Sequence, residues 1–82
     1  MTTAGPRERL TRAEAAQLLV ILFRYVESNV AAFPSLLPAV DSLREAAALY
    51  GRDDTTGATE RALGVYEFVR RTWLANPTMP VP

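Results

Sequence analysis

The sequence predicts an all-α protein: one antiparallel bundle of three helices. Three observations lead to this class. Apolar residues recur at helical spacing in three separate segments. Clusters of proline and glycine separate the segments, and none of them alternates polar and apolar residues as a half-buried strand does. The connections are short, which favours antiparallel neighbours. With 82 residues, the chain has room for one domain.

The first helix is predicted at 11–32. Thr11 and Glu14 have the spacing of a capping box, in which each side chain binds the other residue's backbone N–H. Pro34 ends the pattern, because a residue before proline disfavours the α conformation. The apolar stripe of this helix consists of Ala15, Leu18, Leu19, Leu22, Tyr25, Val26, Val30 and Phe33.

The second helix is predicted at 35–50. Ser35 is a suitable N-cap, and Pro38 then falls in the first turn, where its missing N–H costs nothing. Gly51 is a suitable residue to follow the last turn. The apolar stripe consists of Leu36, Val40, Leu43, Ala47 and Tyr50.

The third helix is predicted at 56–74, with Thr55 or Thr56 as its cap. Its apolar stripe consists of Ala58, Ala62, Val65, Tyr66, Val69 and Trp73. The helical domain thus covers 10–75. We expect residues 1–9 to be disordered. The proline-rich tail 76–82 is expected to be extended or polyproline-like, either loose or lying along a partner's groove.

The composition excludes several classes of function. Nine arginines balance nine acidic residues, and lysine is absent, so the cationic excess of a nucleic-acid binder is missing. This arginine- and alanine-rich composition suggests a GC-rich bacterial genome. Cysteine and histidine are absent, which removes thiol chemistry and the commonest general base and metal ligand. We therefore expect no enzyme, no cofactor and no metal.

The apolar run at 18–23 is far shorter than the ~20 residues that span a bilayer, and no signal-peptide pattern is visible. We therefore expect no membrane association and a location in the cytoplasm.

Asp53 and Asp54 could offer oxygen ligands to a divalent cation, but the alternating acids and distal glutamate of an EF-hand are absent. A solvated acidic turn before a helix is the preferred interpretation.

The tripeptide Asp41-Ser42-Leu43 resembles the attachment site of acyl carrier proteins. The resemblance implies that Ser42 would carry a phosphopantetheine arm. In that family the serine begins a helix and a glycine usually precedes the aspartate, whereas here Ala39-Val40 precede it and the apolar stripe continues through it. That family also tends to be strongly acidic, and this chain has no net charge. The preferred interpretation makes Ser42 a solvent-facing helix position, with the acyl carrier as an alternative.

The second apolar face is the most informative feature of the sequence. Val20 and Ile21 fall outside the stripe of the first helix, so that helix is apolar on all sides near residues 18–23. Gly64 in the third helix would be explained by a close helix–helix approach. We therefore predict a non-enzymatic accessory or scaffolding module that forms a homodimer, binds a larger protein partner, or does both. The predicted interface consists of Val20, Ile21, Phe23, Leu63, Phe68 and Leu74.

An alternative function uses the interior of the bundle. Aromatic residues lie on or near the stripes of all three helices and could line an apolar pocket. The candidate residues are Tyr25, Tyr50, Tyr66 and Trp73. In this alternative the protein binds a small apolar ligand or an acyl group.

Overall fold

A computed structural model describes residues 10–82 and confirms an all-α protein with three helices. Helix α1 spans Arg12–Asn29, α2 spans Leu37–Gly51 and α3 spans Thr55–Ala75. A single 3₁₀ turn, Pro34–Leu36, leads into α2. None of the residues 10–82 forms a strand. The disorder predicted for residues 1–9 lies outside the described part of the chain.

The start of α1 agrees with the predicted capping box. The Glu14 backbone N–H donates to Thr11 Oγ1 at 3.1 Å, and the Thr11 backbone N–H donates to Glu14 Oε1 at 2.9 Å. The helix ends at Asn29, three residues before the predicted boundary, and residues 30–32 form turns. The Asn29 side-chain amide donates to the Tyr25 carbonyl at 2.8 Å, so the last residue of the helix folds back on the preceding turn.

The start of α2 differs from the prediction. Ser35 lies inside the 3₁₀ turn and caps nothing, and α2 begins without a side-chain cap. The turn itself provides the missing partner, because the Leu36 N–H donates to the Phe33 carbonyl at 3.0 Å. Pro38 lies in the first turn of α2, as expected.

The connection from α2 to α3 is built around two aspartates. Gly51 remains helical, and Asp53 takes the left-handed conformation at φ 66°, which aspartate tolerates better than most residues. Asp54 caps α3, because its Oδ1 accepts from the Gly57 N–H at 2.9 Å. The prediction of a threonine cap was wrong: aspartate is a stronger cap than threonine and Asp54 precedes Thr55 by one residue.

The core lies between the three helices and contains many small side chains. Helices α2 and α3 pack against each other most extensively. Alanines on both helices are buried, which permits this close packing. The buried face of α2 centres on Ala39 and Ala46 instead of the predicted Val40 and Ala47, which are only half-buried. The buried apolar residues are Ala15, Leu19, Leu22, Val26, Leu36, Ala39, Leu43, Ala46, Ala58, Ala62, Val65, Val69 and Met79.

Arg12 connects all three helices at one end of the bundle. Its guanidinium donates to the Tyr50 carbonyl at 3.0 Å and to Thr55 Oγ1 at 3.2 Å. The same group lies over the Tyr50 ring, 3.9 Å from the centroid, and the Tyr50 hydroxyl donates back to the Arg12 carbonyl at 3.2 Å. An ion pair with Asp53 at 3.3 Å adds little, since that carboxylate is largely exposed. The start of α1 is therefore fixed to the end of α2 and the start of α3.

The tail 76–82 folds back on its own bundle. The Met79 N–H closes a turn on the Asn76 carbonyl at 2.9 Å, and the Met79 side chain is buried in the core with only 2% exposure. The Tyr25 hydroxyl donates to the Pro80 carbonyl at 2.6 Å. The sequence predicted an extended tail, either loose or lying along a partner's groove. In the structure the tail contains a turn, and the buried Met79 side chain anchors it to the bundle.

Replacing Arg12 with alanine should lower the free energy of unfolding by about 1–2 kcal/mol, because charge-assisted hydrogen bonds and a cation–π contact are lost together. Chemical denaturation measures the change. Arg24→Ala is the matched control, since Arg24 is exposed on the same helix. Equal effects of the two substitutions would contradict the role given to Arg12.

The Tyr25 hydroxyl should make stability depend on pH in the alkaline range. Burial raises the pKa of the Tyr25 phenol, because desolvation penalises the phenolate. The folded state therefore binds this proton more tightly than the unfolded state, whose pKa is about 10. The contribution is complete below that pH and is lost as the pH rises through the folded pKa. Denaturation of Tyr25→Phe and of the native chain between pH 8 and 11 should show a steeper decline for the native chain.

Candidate functional site

Four of the six predicted interface residues lie on the surface of the folded chain. Val20, Ile21, Leu63 and Leu74 are between 48% and 63% exposed. Phe23 and Phe68 are only half-buried and pack against the core. We call Val20, Ile21, Leu63 and Leu74 the outer apolar face.

Phe68 lies on a different side of α3 from the outer apolar face. At 100° per residue, Leu63 and Leu74 are about 20° apart around the helix, whereas Phe68 is at least about 120° from either. The six residues therefore do not form one flat surface. Val20 and Ile21 are about 100° apart on α1 and flank its outward side.

Ile21 and Leu63 lie at the same height on neighbouring helices. The hydrogen bond between Arg12 and Thr55 joins the starts of α1 and α3. At 1.5 Å per residue, Ile21 is about 14 Å from the start of α1, and Leu63 is about 12 Å from the start of α3. Two exposed apolar side chains at one level make the α1–α3 side the best candidate for an interaction surface.

A groove runs along the outside of the α2–α3 pair. It encloses about 500 Å³ and is open to solvent. Arg61 on α3 pairs with Glu45 on α2 at 2.8 Å, so charged side chains connect the two helices beside it. Its lining residues are Pro38, Ala39, Ser42, Leu49, Gly57, Glu60, Arg61, Gly64, Val65 and Phe68.

The two glycines of this groove have different roles. A Cβ at Gly57 would collide with the Asp54 carboxylate that caps α3, so that exposed side chain would have to shift. A Cβ at Gly64 would meet no atom within 4 Å. The close helix–helix approach that the sequence suggested for Gly64 does not occur within the described chain.

The predicted aromatic pocket is spread over the bundle. Tyr50 lies beneath the Arg12 guanidinium, Tyr25 binds the tail, and Tyr66 is exposed. Trp73 is half-buried, and its indole N–H is buried without a hydrogen-bond partner among the described residues. None of the four lines the α2–α3 groove. Sequence reasoning missed Met79, which belongs to the core cluster against which Tyr25 and Trp73 pack.

Ser42 lies in the second turn of α2 and is half-buried in the α2–α3 groove. It does not begin a helix, which is where the acyl carrier resemblance would place the serine. Groups of three or more metal-ligating side chains are absent within residues 10–82. Asp53 and Asp54 instead contact Arg12 and the Gly57 N–H.

Comparisons with known proteins supply no relative. No family model matches the chain, no curated protein matches it, and no solved structure matches it. Among residues 10–82, none of the helices combines the length and apolar character needed to cross a bilayer.

Gly64→Ala should raise the free energy of unfolding by about 0.5–1 kcal/mol, because glycine disfavours a helix interior and the new methyl group has free space. Gly57→Ala is the matched substitution on the same helix. It should raise stability less than Gly64→Ala does, since its methyl group forces the capping Asp54 carboxylate to shift. Thermal unfolding of both variants tests the pair, and destabilisation by Gly64→Ala would show that the space is filled.

Proposed function

We propose that this protein is a non-enzymatic interaction module that pairs with a second copy through the outer apolar face. It would serve as a scaffold or accessory for a larger partner. The exposure of four large apolar side chains on two adjacent helices carries the proposal. Single exposed apolar residues are normal on a protein surface, whereas several on two adjacent helices favour an interface.

The proposed module is an antiparallel three-helix bundle. Two contacts support this order. Arg12, at the start of α1, binds the carbonyl of Tyr50 near the end of α2. Tyr25, in the second half of α1, binds Pro80 beyond the end of α3. In this order α1 and α3 run in the same direction, so a second bundle can pack against Ile21 and Leu63 together.

The energy of such a contact predicts reversible association. Burying a Val, Leu or Ile side chain completely stabilises by about 1.5–3 kcal/mol, and these four are already partly buried. A two-fold interface counts every residue twice. The lost translational and rotational freedom costs about 4–15 kcal/mol. The net free energy of association is therefore small, so the fraction of chains in dimers should depend on protein concentration.

The charges beside the face permit two copies to approach. Exposed residues of both signs occur on each helix: Arg24 and Glu27 on α1, and Glu67 and Arg70 on α3. The chain carries no net charge at pH 7, so two copies do not repel each other at long range.

The other expectations remain predictions. The absence of histidine, cysteine and lysine leaves no nucleophile–base pair, which supports a non-enzymatic role. The position of Ser42 inside α2 favours an ordinary polar helix residue over the acyl carrier alternative. A location in the cytoplasm rests on the sequence alone.

Glutamate at Ile21 and Leu63 should prevent self-association, because pairing would then bury carboxylates at the centre of the contact. Sedimentation velocity of the double variant should give a monomer at concentrations where the native chain forms dimers.

Leu37→Glu is the control for added charge, since Leu37 is 59% exposed and lies on α2, which contributes no residue to the outer apolar face. Leu37→Glu should dimerise as the native chain does. A dimer that survives both glutamates of the double variant, with the fold intact by circular dichroism, would rule out this interface.

A further inference from the structure

The tail holds one buried residue in an otherwise exposed segment. Met79 is 2% exposed, while Pro77, Thr78 and residues 80–82 are exposed, with Val81 at 75%. Met79 belongs to the core cluster, and Tyr25 and Trp73 pack against that cluster. A single unbranched side chain thus fills a position in the core from outside the helices.

Few interactions hold the tail in place. Three of its seven residues are proline and lack a backbone N–H. Beyond the turn closed by Met79, the hydrogen bond that ties the tail to α1 is the one from the Tyr25 hydroxyl to the Pro80 carbonyl. Within residues 10–82, releasing the segment beyond Asn76 therefore requires removing one side chain from the core and breaking one hydrogen bond to α1. A released tail would leave an apolar pocket.

Two hydrogen-bond donors belong to this end of the bundle. Tyr25 presents its hydroxyl to the tail carbonyl. Trp73 lies in the last turn of α3, from which the tail leaves, and its buried indole N–H has no partner among residues 10–82. A buried donor without an acceptor is costly. An acceptor oxygen that entered with a ligand could satisfy it.

We propose that the position of Met79 is a binding site for an unbranched aliphatic carboxylic acid, for which the tail is a built-in competitor. The aliphatic chain replaces the Met79 side chain. A carboxylate oxygen replaces the Pro80 carbonyl at the Tyr25 hydroxyl, and the Trp73 indole N–H supplies a second donor. The tail presents the same two groups as such an acid, because the linear apolar side chain of Met79 lies next to the Pro80 carbonyl oxygen. This site does not depend on the outer apolar face.

The tail should lower the affinity of the native chain. A ligand that requires an open pocket binds more weakly in proportion to the fraction of molecules in which the pocket is open. Substitutions that weaken the tail should therefore strengthen binding. Trp73 is the only tryptophan, so its fluorescence reports on this end of the bundle.

The test is titration of decanoate into full-length Met79→Ser, followed by Trp73 fluorescence and calorimetry. Met79→Ser should bind decanoate at least tenfold more tightly than the native chain, at one molecule per chain. Val81→Ser is the matched control, because it changes an exposed residue of the same tail and should bind as the native chain does. Equal affinity of Met79→Ser and the native chain would overturn the proposal, as would no binding to folded Met79→Ser.

Two further variants complete the test. If Met79→Ser does not fold by circular dichroism, Met79→Ala replaces it, with the same expected order of affinities. Adding Tyr25→Phe to the folded Met79 variant should weaken decanoate binding three- to tenfold, since the carboxylate loses a donor. An unchanged affinity would show that the carboxylate does not lie at Tyr25 and would overturn the assignment.

Discussion

The contact between the Arg12 guanidinium and Tyr50 fixes the relative position of the three helices. A chain of this size buries only about 60–65% of its unfolded surface, so its core contributes little stability to spare. Arg12 provides stacking and two hydrogen bonds at the junction where α1, α2 and α3 meet. It joins the starts of α1 and α3, and Ile21 and Leu63 follow those starts by about 14 Å and about 12 Å along their helices.

Helical phase and small side chains together determine what the bundle buries. Alanines on α2 and α3 permit close packing. Ile21 and Leu63 stay outside because each lies roughly 120–140° around its helix from the centre of the buried stripe. At the other end of the bundle, Met79 reaches the core from the tail and occupies a place that no helix side chain takes.

Local signals in the sequence predicted the fold well. The stripes gave the number and type of the helices, and the Thr11–Glu14 spacing predicted the cap of α1, since both partners lie within one turn. Sequence reasoning chose a threonine cap for α3, although aspartate is the stronger capping residue and Asp54 immediately precedes Thr55. The position of Met79 and the free space beside Gly64 depend on contacts between distant segments, which periodicity does not contain. The exposure of Val20 and Ile21 was predictable because two residues outside a stripe must face away from the core.

The mass of the native chain in solution tests the central claim most directly. Light scattering after size exclusion, over a wide range of concentrations, would measure it. The account predicts a mass that rises with concentration from the 9.0 kDa of one chain towards twice that value. A mass that remains that of one chain at every concentration would contradict self-association and would leave the outer apolar face to a different protein.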